Sequence, residues 1–243
     1  MNDALRCCNH DTRGIGLEAG RWINGDEMAI YMIIGGLGLF SLLHLLTATR
    51  KVRSAIVTQI GELQYKGLFS FASLVVFGTA VYGYVQGSYV EYWVAGSAVI
   101  LLQSFLLMPV AIILIVSSYI SKGTQRLTRH PMLMGVTIAC FSHVLVNGDL
   151  AFILFFGGLG GYGVLAMLWS DHQRRISRDT EDQLFLEQTG YFPVSGRLHQ
   201  NNGDLLPRLG TLGPVIGTAC YGLAITYHGQ LLGVSPLSSI LTP

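Results

Sequence analysis

The sequence predicts an all-α, polytopic membrane helix bundle of about six transmembrane helices, with both chain termini outside. Of the 243 residues, 51% are hydrophobic and only 12% are charged, whereas soluble domains carry about 25% charged residues. Six stretches contain no Asp, Glu, Lys or Arg, and each is long enough to cross a bilayer, which takes roughly 17–25 residues. These stretches are 28–49, 67–90, 92–121, 131–148, 150–170 and 209–243. The lipid bilayer is therefore the first partner that the sequence predicts.

The basic residues predict the orientation of the chain. The loops after the first, third and fifth spans hold 4, 3 and 5 Lys and Arg residues, which is 12 of the 15 in the chain. Because basic loops stay in the cytoplasm, these three loops are predicted to be cytoplasmic. The formal net charge of +1 gives no reason to expect nucleic acid as a partner.

In chain order, the polar extension 1–27 has no apolar run and is predicted to be disordered and dispensable. The membrane domain follows over 28–237, and a tail occupies 238–243. Between the last two spans lies the polar segment 171–208, which is predicted to be cytoplasmic and to contain a short interfacial helix at 182–187. The spans are predicted at about 28–48, 67–85, 93–119, 131–146, 150–169 and 211–232.

Local features support these spans. Gly35, Gly36 and Gly38 in the first span, like the glycine pairs in the fifth, permit close helix approach. Pro109 is expected to kink the third span. The tight turn at 147–149 reverses the chain between the fourth and fifth spans, and the last span contains His228 near its outer end, where an interfacial hydrogen bond is expected.

Histidines within apolar spans are the main functional signal, because ionisable groups are costly in hydrocarbon. His44 lies near the end of the first span and His143 lies in the fourth. Burial keeps an imidazole neutral, and the neutral form binds metals. Cys140 precedes His143 by three residues and so shares its helix face.

The depth of these histidines leaves two pairs open. His44 lies toward the cytoplasmic side, His143 lies near the outer end of its span, and His130 is expected to be closer to His44 in depth. The pair is either His44 with His143 or His44 with His130. The four cysteines form no disulfide framework, and Cys140 is left open between packing and ligation.

An ordered set of motifs resembles the NnrU family over about 33–237. The pieces are weak singly and specific as a series. They are His44-Leu45-Leu46, Gly61, Tyr65-Lys66-Gly67-Leu68-Phe69-Ser70, Arg129-His130-Pro131-Met132, Gly135-Val136, His143, Asn147-Gly148-Asp149-Leu150, Leu154-Phe155-Phe156-Gly157-Gly158, His228 and Gly233-Val234-Ser235-Pro236.

The resemblance implies a protein of the bacterial inner membrane that is linked to the expression of nitrite and nitric oxide reductases in denitrification. The family is related to 15-cis-zeta-carotene isomerase, a membrane enzyme that holds haem b, so a hydrophobic polyene or lipid substrate is expected. The implicated haem-ligand histidines of the isomerase fall on His44 and His143, and its alternative cysteine ligand falls on Cys140.

Two segments depart from the pattern of these families. The Trp usual before His143 is absent from 138–142, and the usual compact Asp-Arg-Arg is stretched over 171–175. The isomerase activity is therefore a weaker expectation than the fold.

Basic residues at one rim suit the propionates of haem. Arg50, Arg53, Arg126 and Arg129 provide such a rim on the predicted cytoplasmic side. Asn147, four residues after His143, is expected to orient the imidazole ring of His143 by a hydrogen bond.

Two other function classes remain open. Arg129-His130-Pro131, followed by a membrane hairpin and an acidic segment, is similar to isoprenylcysteine carboxyl methyltransferases, in which this region binds S-adenosylmethionine. That resemblance would give Glu181 and Glu187 a role, although the paired glutamates of those enzymes are not clearly reproduced. The third class is a non-catalytic factor that assists respiratory or denitrification proteins.

Overall fold

The structure, a computed structural model, describes residues 12–120, 128–177, 179–192 and 212–233, with side chains from residue 25 onward except that of Leu232. Within this part of the chain, long helices dominate and the all-α class is confirmed. In chain order the elements are α1 (Thr12–Ala48), α2 (Arg50–Ile60), α3 (Glu62–Gln86), β1 (Glu91–Val94), α4 (Ser97–Ile120), α5 (Pro131–Val146), β2 (Asn147–Asp149), α6 (Leu150–Ile176), α7 (Thr180–Gln188) and α8 (Leu212–Leu232).

Four of the described helices are long and apolar enough to cross a membrane: Gly25–Ala48 within α1, and α3, α4 and α6. The other two predicted spans are also helical. α5 is apolar but has only 16 residues. α8 has 21 residues, and its mean hydropathy is lowered by His228 and by five Thr, Tyr and Gln side chains. All six predicted spans are thus helices.

Several predicted boundaries are corrected. α1 begins at Thr12, so 12–27 is helical where the sequence predicts disorder, while 1–11 lies outside the described residues. The basic segment after the first span forms α2 because its apolar residues recur on one helix face. The polar segment 171–208 begins with six residues that continue α6, and its predicted short helix is α7.

A small antiparallel ribbon joins β1 to β2 at the end of the bundle opposite the basic loops. It takes up Trp93 and Val94, which the sequence assigned to the third span, so α4 begins only at Ser97. Gly148 is required here because a Cβ at this position would overlap the backbone of Trp93. The carboxylate of Asp149 accepts from the backbone N–H of Val90 and also caps α6 through Phe152.

Helix packing follows a simple spatial order: α3 packs on α1, α1 on α6, α6 on α5, α5 on α4, and α4 on α8. The apolar core between α1, α3 and α6 contains Ile33, Leu37, Ala80 and Phe155. Small residues set the crossings, because helices in lipid associate through close packing. A Cβ on Gly36 would lie 2.7 Å from the backbone nitrogen of Ala80.

Pro109 acts through a local change in helix type. The turn Gln103–Leu107 immediately before it is a π-helix. Proline cannot donate a backbone hydrogen bond and its ring collides with the carbonyl four residues earlier. The wider π turn accommodates this collision within the predicted third span.

Candidate functional site

His44 lies inside the triangle formed by α1, α3 and α6. Its Nδ1 is 2.9 Å from the carbonyl oxygen of Phe40, one helical turn earlier. A carbonyl only accepts hydrogen bonds, so Nδ1 carries the proton and the lone pair lies on Nε2. The ring contacts Phe40, Phe69 and Tyr162 at centroid distances of 4.0, 4.9 and 5.7 Å. His44 therefore presents a ligand-type nitrogen within an aromatic environment.

His143 has the same local arrangement on α5. Its Nδ1 lies 2.7 Å from the carbonyl oxygen of Ala139, so Nε2 again carries the lone pair. The ring stacks on Phe156 of α6 with centroids 5.0 Å apart and planes 10° apart. Both histidines are half-buried, and both are fixed in the same tautomer by their own helix.

Four phenylalanines, Phe40, Phe77, Phe155 and Phe156, form a continuous aromatic layer from His44 to His143. The layer crosses α1, α3 and α6 before it reaches α5. Successive ring centroids, from His44 to His143, are 4.0, 5.4, 5.8, 5.3 and 5.0 Å apart. The two histidines thus lie at opposite ends of one stack of rings rather than in contact.

The level of each histidine along α6 can be read from its partner there. His44 contacts Tyr162, His143 contacts Phe156, and His130 is bonded to a residue nearer the end of α6. With a rise of 1.5 Å per residue, His44 lies between the other two, about 9 Å along the axis from His143 and about 14 Å from His130. His143 is therefore the closer of the two to His44 in depth, where the sequence predicts His130.

Bonding also distinguishes His130 from the other two histidines. The Nε2 atom of His130 lies 2.8 Å from Oδ1 of Asp171, so it is engaged in a hydrogen bond. The corresponding atoms of His44 and His143 are left available by their Nδ1 bonds. His44 and His143 thus share one hydrogen-bonding arrangement, through Nδ1 to their own helix, which differs from that of His130.

Asn147 and Cys140 each contact other groups than His143 among the described residues. The side-chain oxygen of Asn147 accepts from the backbone N–H of Asp149, 3.0 Å away. The ring of His143 is oriented by its hydrogen bond to the carbonyl oxygen of Ala139. Cys140 is 4% exposed and faces Gly160 at the α5–α6 crossing. A Cβ on Gly160 would lie 3.2 Å from that of Cys140, so the crossing is tight at the thiol.

Arg129 lies at the centre of a buried network at the basic end of the bundle, the end where α2, α7 and the start of α5 meet. Its guanidinium pairs with Asp171 and donates to the hydroxyl and carbonyl oxygens of Thr189 and to the carbonyl of Leu186. Its backbone N–H donates to Gly190 at 2.7 Å. These bonds fix the segment 186–192, here called the arch, over the ends of α5 and α6.

Tyr191 completes the network from the arch. Its hydroxyl donates to the carboxylate of Asp171 at 2.7 Å. Its ring forms a cation–π contact with Arg129, whose Cζ atom lies 5.2 Å from the centroid of the Tyr191 ring. Burial, together with the hydrogen bond to the Asp171 carboxylate, raises the pKa of Tyr191 to about 12. The network is neutral overall if His130 is neutral, because one arginine offsets one aspartate.

A second network joins α2, α6 and α7 around Asp182, which is 4% exposed. Arg50 forms a two-bond pair with its carboxylate at 2.7 and 2.8 Å, and Arg174 and Ser177 donate at 2.8 and 2.6 Å. Hydrogen bonds from Arg50 and Ser177 lower the pKa of Asp182 to about 2. Arg50 and Arg129 are thus engaged with carboxylates, Arg53 pairs with Glu62, and Arg126 lies outside the described residues. Of the four arginines in the predicted propionate rim, the three that the structure describes are thus paired with carboxylates of the chain.

The sequence pattern did not predict the partners of Arg129 and His130, which are Asp171, Tyr191 and Thr189. The tight turn at 147–149 makes α5 and α6 antiparallel neighbours, so residues at similar distances from the turn reach the same level. That symmetry places His130 within about a turn and a half of Asp171 along α6, which is too coarse to select Asp171 as its partner. The sequence also gave no sign that His228 lies within electrostatic range of His143.

The donor set fits an axial haem ligand better than a chelated metal ion. Among the described residues, no three His, Cys, Asp or Glu side chains come together in a group that could hold a metal ion. Haem needs fewer protein ligands, and a neutral imidazole with its other nitrogen held by a carbonyl is the usual form of such a ligand.

The fold and these half-buried histidines define a polytopic helical membrane protein with ligand-type imidazoles on its apolar helices. The chain matches the family described as NnrU protein over residues 32–236. It belongs to the NnrU family, as the motif series predicts. No curated protein and no solved structure matches the chain.

Proposed function

We propose that this NnrU-family protein binds haem b, with His44 and His143 as the candidate iron ligands. One observation carries the proposal: both rings donate Nδ1–H to the carbonyl one turn earlier, which leaves Nε2 as an acceptor. A buried imidazole could equally have been held by a carboxylate through Nε2, as His130 is. Two spans that prepare the same nitrogen are arranged for ligation.

The aromatic layer is the proposed binding surface for the haem macrocycle. Its rings are apolar and flat, and they connect the two imidazoles without a charged group among them. When bound, haem supplies an iron centre whose electronics are set by its axial ligands. The chain supplies the neutral imidazoles and their aromatic surroundings. Because four rings of the layer separate His44 from His143, both can ligate one iron only if these rings move apart.

The activity that we propose is cis–trans isomerisation of an apolar polyene, or a related redox function, in the bacterial inner membrane. This rests on the relation between the NnrU family and zeta-carotene isomerase. The aromatic layer supports it, because aromatic faces pack well against a conjugated chain. A role in the expression or assembly of nitrite and nitric oxide reductases is the alternative without catalysis.

The optical spectrum of detergent-purified protein tests the cofactor. We expect a Soret band that is lost in His44→Ala or His143→Ala and retained in His130→Ala. His172→Ala is the matched control, because His172 is exposed at the basic end and outside the aromatic layer. Loss of the band in His130→Ala, with retention in His143→Ala, would show that the ligand pair is the other one.

Cys140 is tested in the same spectra. If the thiolate replaces His143 on ferric iron, Cys140→Ala changes the oxidised spectrum only, whereas His143→Ala destroys the reduced low-spin spectrum. If Cys140 only packs against Gly160, its replacement changes neither spectrum.

The same preparation separates the other function classes. A methyltransferase would bind S-adenosylmethionine in an equilibrium assay and carry no stoichiometric chromophore. Protein that binds neither haem nor S-adenosylmethionine, while remaining folded by circular dichroism, would contradict the haem proposal and favour the accessory role.

A further inference from the structure

A lateral groove opens between α5, α6 and the arch, away from the aromatic layer. Its volume is about 680 Å³, within the range of roughly 300–1,000 Å³ that is usual for small-molecule sites. Its apolar walls are formed by Met134 of α5 and by Val164, Met167 and Leu168 of α6. Val164 and Leu168 are 36% and 54% exposed, so the groove opens toward the surrounding bilayer.

The polar rim of the groove is built by the Arg129 network. The arch residues Thr189, Gly190 and Tyr191 line the groove, and all three are held by Arg129 or Asp171. Buried ion pairs add little net stability, so their value lies in fixing one geometry. Here the fixed geometry is that of the arch above the apolar walls.

The rim of the groove contains the acidic residue Glu187 and, outside the buried network, the exposed cation Arg175. Arg175 lies one residue from the end of α6. In the sequence, the three predicted cytoplasmic loops carry 12 Lys and Arg against seven Asp and Glu, and the rest of the chain has 3 Lys and Arg against seven Asp and Glu. An excess of positive charge next to a bilayer attracts anionic lipid headgroups.

We propose that this groove binds one anionic phospholipid from the leaflet at the basic end. Its phosphate pairs with Arg175, its acyl chains lie along Met134, Val164 and Leu168, and the arch covers the glycerol region. A lipid is favoured over a soluble anion because the groove has an apolar wall that continues into the membrane-spanning part of α6. The proposal is independent of haem, since none of these residues belongs to the aromatic layer.

Lipid-dependent thermal stability of the detergent-purified full chain tests the site. Added phosphatidylglycerol should raise the Tm of the wild type, because a ligand that binds only the folded state stabilises it by mass action. The increase should fall to less than half in Arg175→Gln, which removes the phosphate partner. It should fall similarly in Val164→Trp, which fills the groove.

Two matched variants control for general effects. Lys51→Gln removes an exposed cation from α2 at the same end, and Leu165→Trp places an indole at the neighbouring exposed position outside the groove lining. Both should keep the wild-type response, and circular dichroism without added lipid should show all four variants folded. An undiminished response in Arg175→Gln and Val164→Trp would overturn the proposal. So would an equal response to glycerol phosphate, which has the headgroup but no acyl chains.

Discussion

Arg129 is the residue on which the basic end of the molecule depends. It is 8% exposed, and its guanidinium makes four hydrogen bonds to α6, α7 and the arch in addition to its cation–π contact. Only a planar guanidinium reaches these acceptors at once, because lysine has a single nitrogen on a flexible stem. The sequence predicts a place for this residue beside a cofactor, and in the structure its side-chain bonds hold the arch.

Replacing Arg129 by lysine or glutamine should therefore destabilise the protein strongly. Removing one partner of a buried ion pair costs about 3–5 kcal/mol, here because Asp171 and the carbonyls of the arch lose their donor. We expect a clear fall in Tm in detergent for both variants. Lys51→Gln is the control, because its side chain is exposed and lies outside both networks and the groove. An Arg129→Lys protein as stable as the wild type would show that the guanidinium fork is dispensable.

Asp182 makes stability depend on pH in the acid range. Its folded-state pKa, about 2, lies below the ordinary value of 3.8 because Arg50 and Ser177 donate to the carboxylate. A lowered pKa contributes stability that is present above about pH 4 and is lost as the pH falls toward 2. The Tm difference between wild type and Asp182→Asn should therefore be largest near neutral pH and shrink between about pH 4 and 2. A constant difference across this window would show that the pair with Arg50 does not couple to folding.

At the scale of the helices, glycine positions decide which faces meet. Gly35 and Gly36 are neighbours in α1, but they face different surroundings. A Cβ on Gly36 would meet the backbone of Ala80 and Val76 at 2.7 and 2.8 Å, whereas one on Gly35 would have nothing within 4 Å. The glycine-rich motif that looked uniform in the sequence thus contains one contact residue and one exposed residue.

This pair gives a matched substitution experiment. Gly36→Ala should destabilise by about 1–3 kcal/mol, because the added methyl group meets backbone atoms that cannot move independently. Gly35→Ala should leave stability unchanged or raise it slightly, because alanine is the better helix former. Thermal unfolding in one detergent measures both. Equal effects would mean that the α1–α3 crossing is looser than the structure describes.

At the scale of the whole molecule, the two ends of the bundle differ in construction. One end carries α2, α7 and the two buried carboxylate networks, and the other carries the β1–β2 ribbon with exposed Tyr89, Tyr92 and Trp93. Tyrosine and tryptophan are typical of the membrane–water interface. The distribution of basic residues predicts that the end with the networks lies in the cytoplasm.

Cysteine labelling tests this orientation. In a background with Cys7, Cys8, Cys140 and Cys220 replaced by alanine, single cysteines are introduced at Gln59 on α2 and at Ser97 at the start of α4; both positions are exposed. An impermeant maleimide applied to intact cells should modify the Ser97→Cys protein. The Gln59→Cys protein should react only after permeabilisation. Labelling of position 59 from outside would reverse the predicted topology.

The sequence by itself determined the class, the family and the approximate positions of the spans, because these follow from local properties. A run of about 20 apolar residues is helical in lipid whatever its neighbours are, since its backbone must satisfy its own hydrogen bonds. The motif series around His44, Arg129 and His143 also allowed the family to be recognised from the sequence. The ends of α1 and the β1–β2 ribbon could not be predicted in this way, because turn and cap contacts such as those of Asp149 join distant segments.

Only the tertiary structure decided what each candidate residue touches. His130 and His143 look alike in the sequence, but the first has its Nε2 bonded to Asp171 and the second keeps Nε2 available because Ala139 holds Nδ1. Arg129 reaches partners 42 and 60 positions later in the chain. Such contacts depend on the order in which helices pack and on their register, and both are set by close packing between faces that hydropathy does not distinguish.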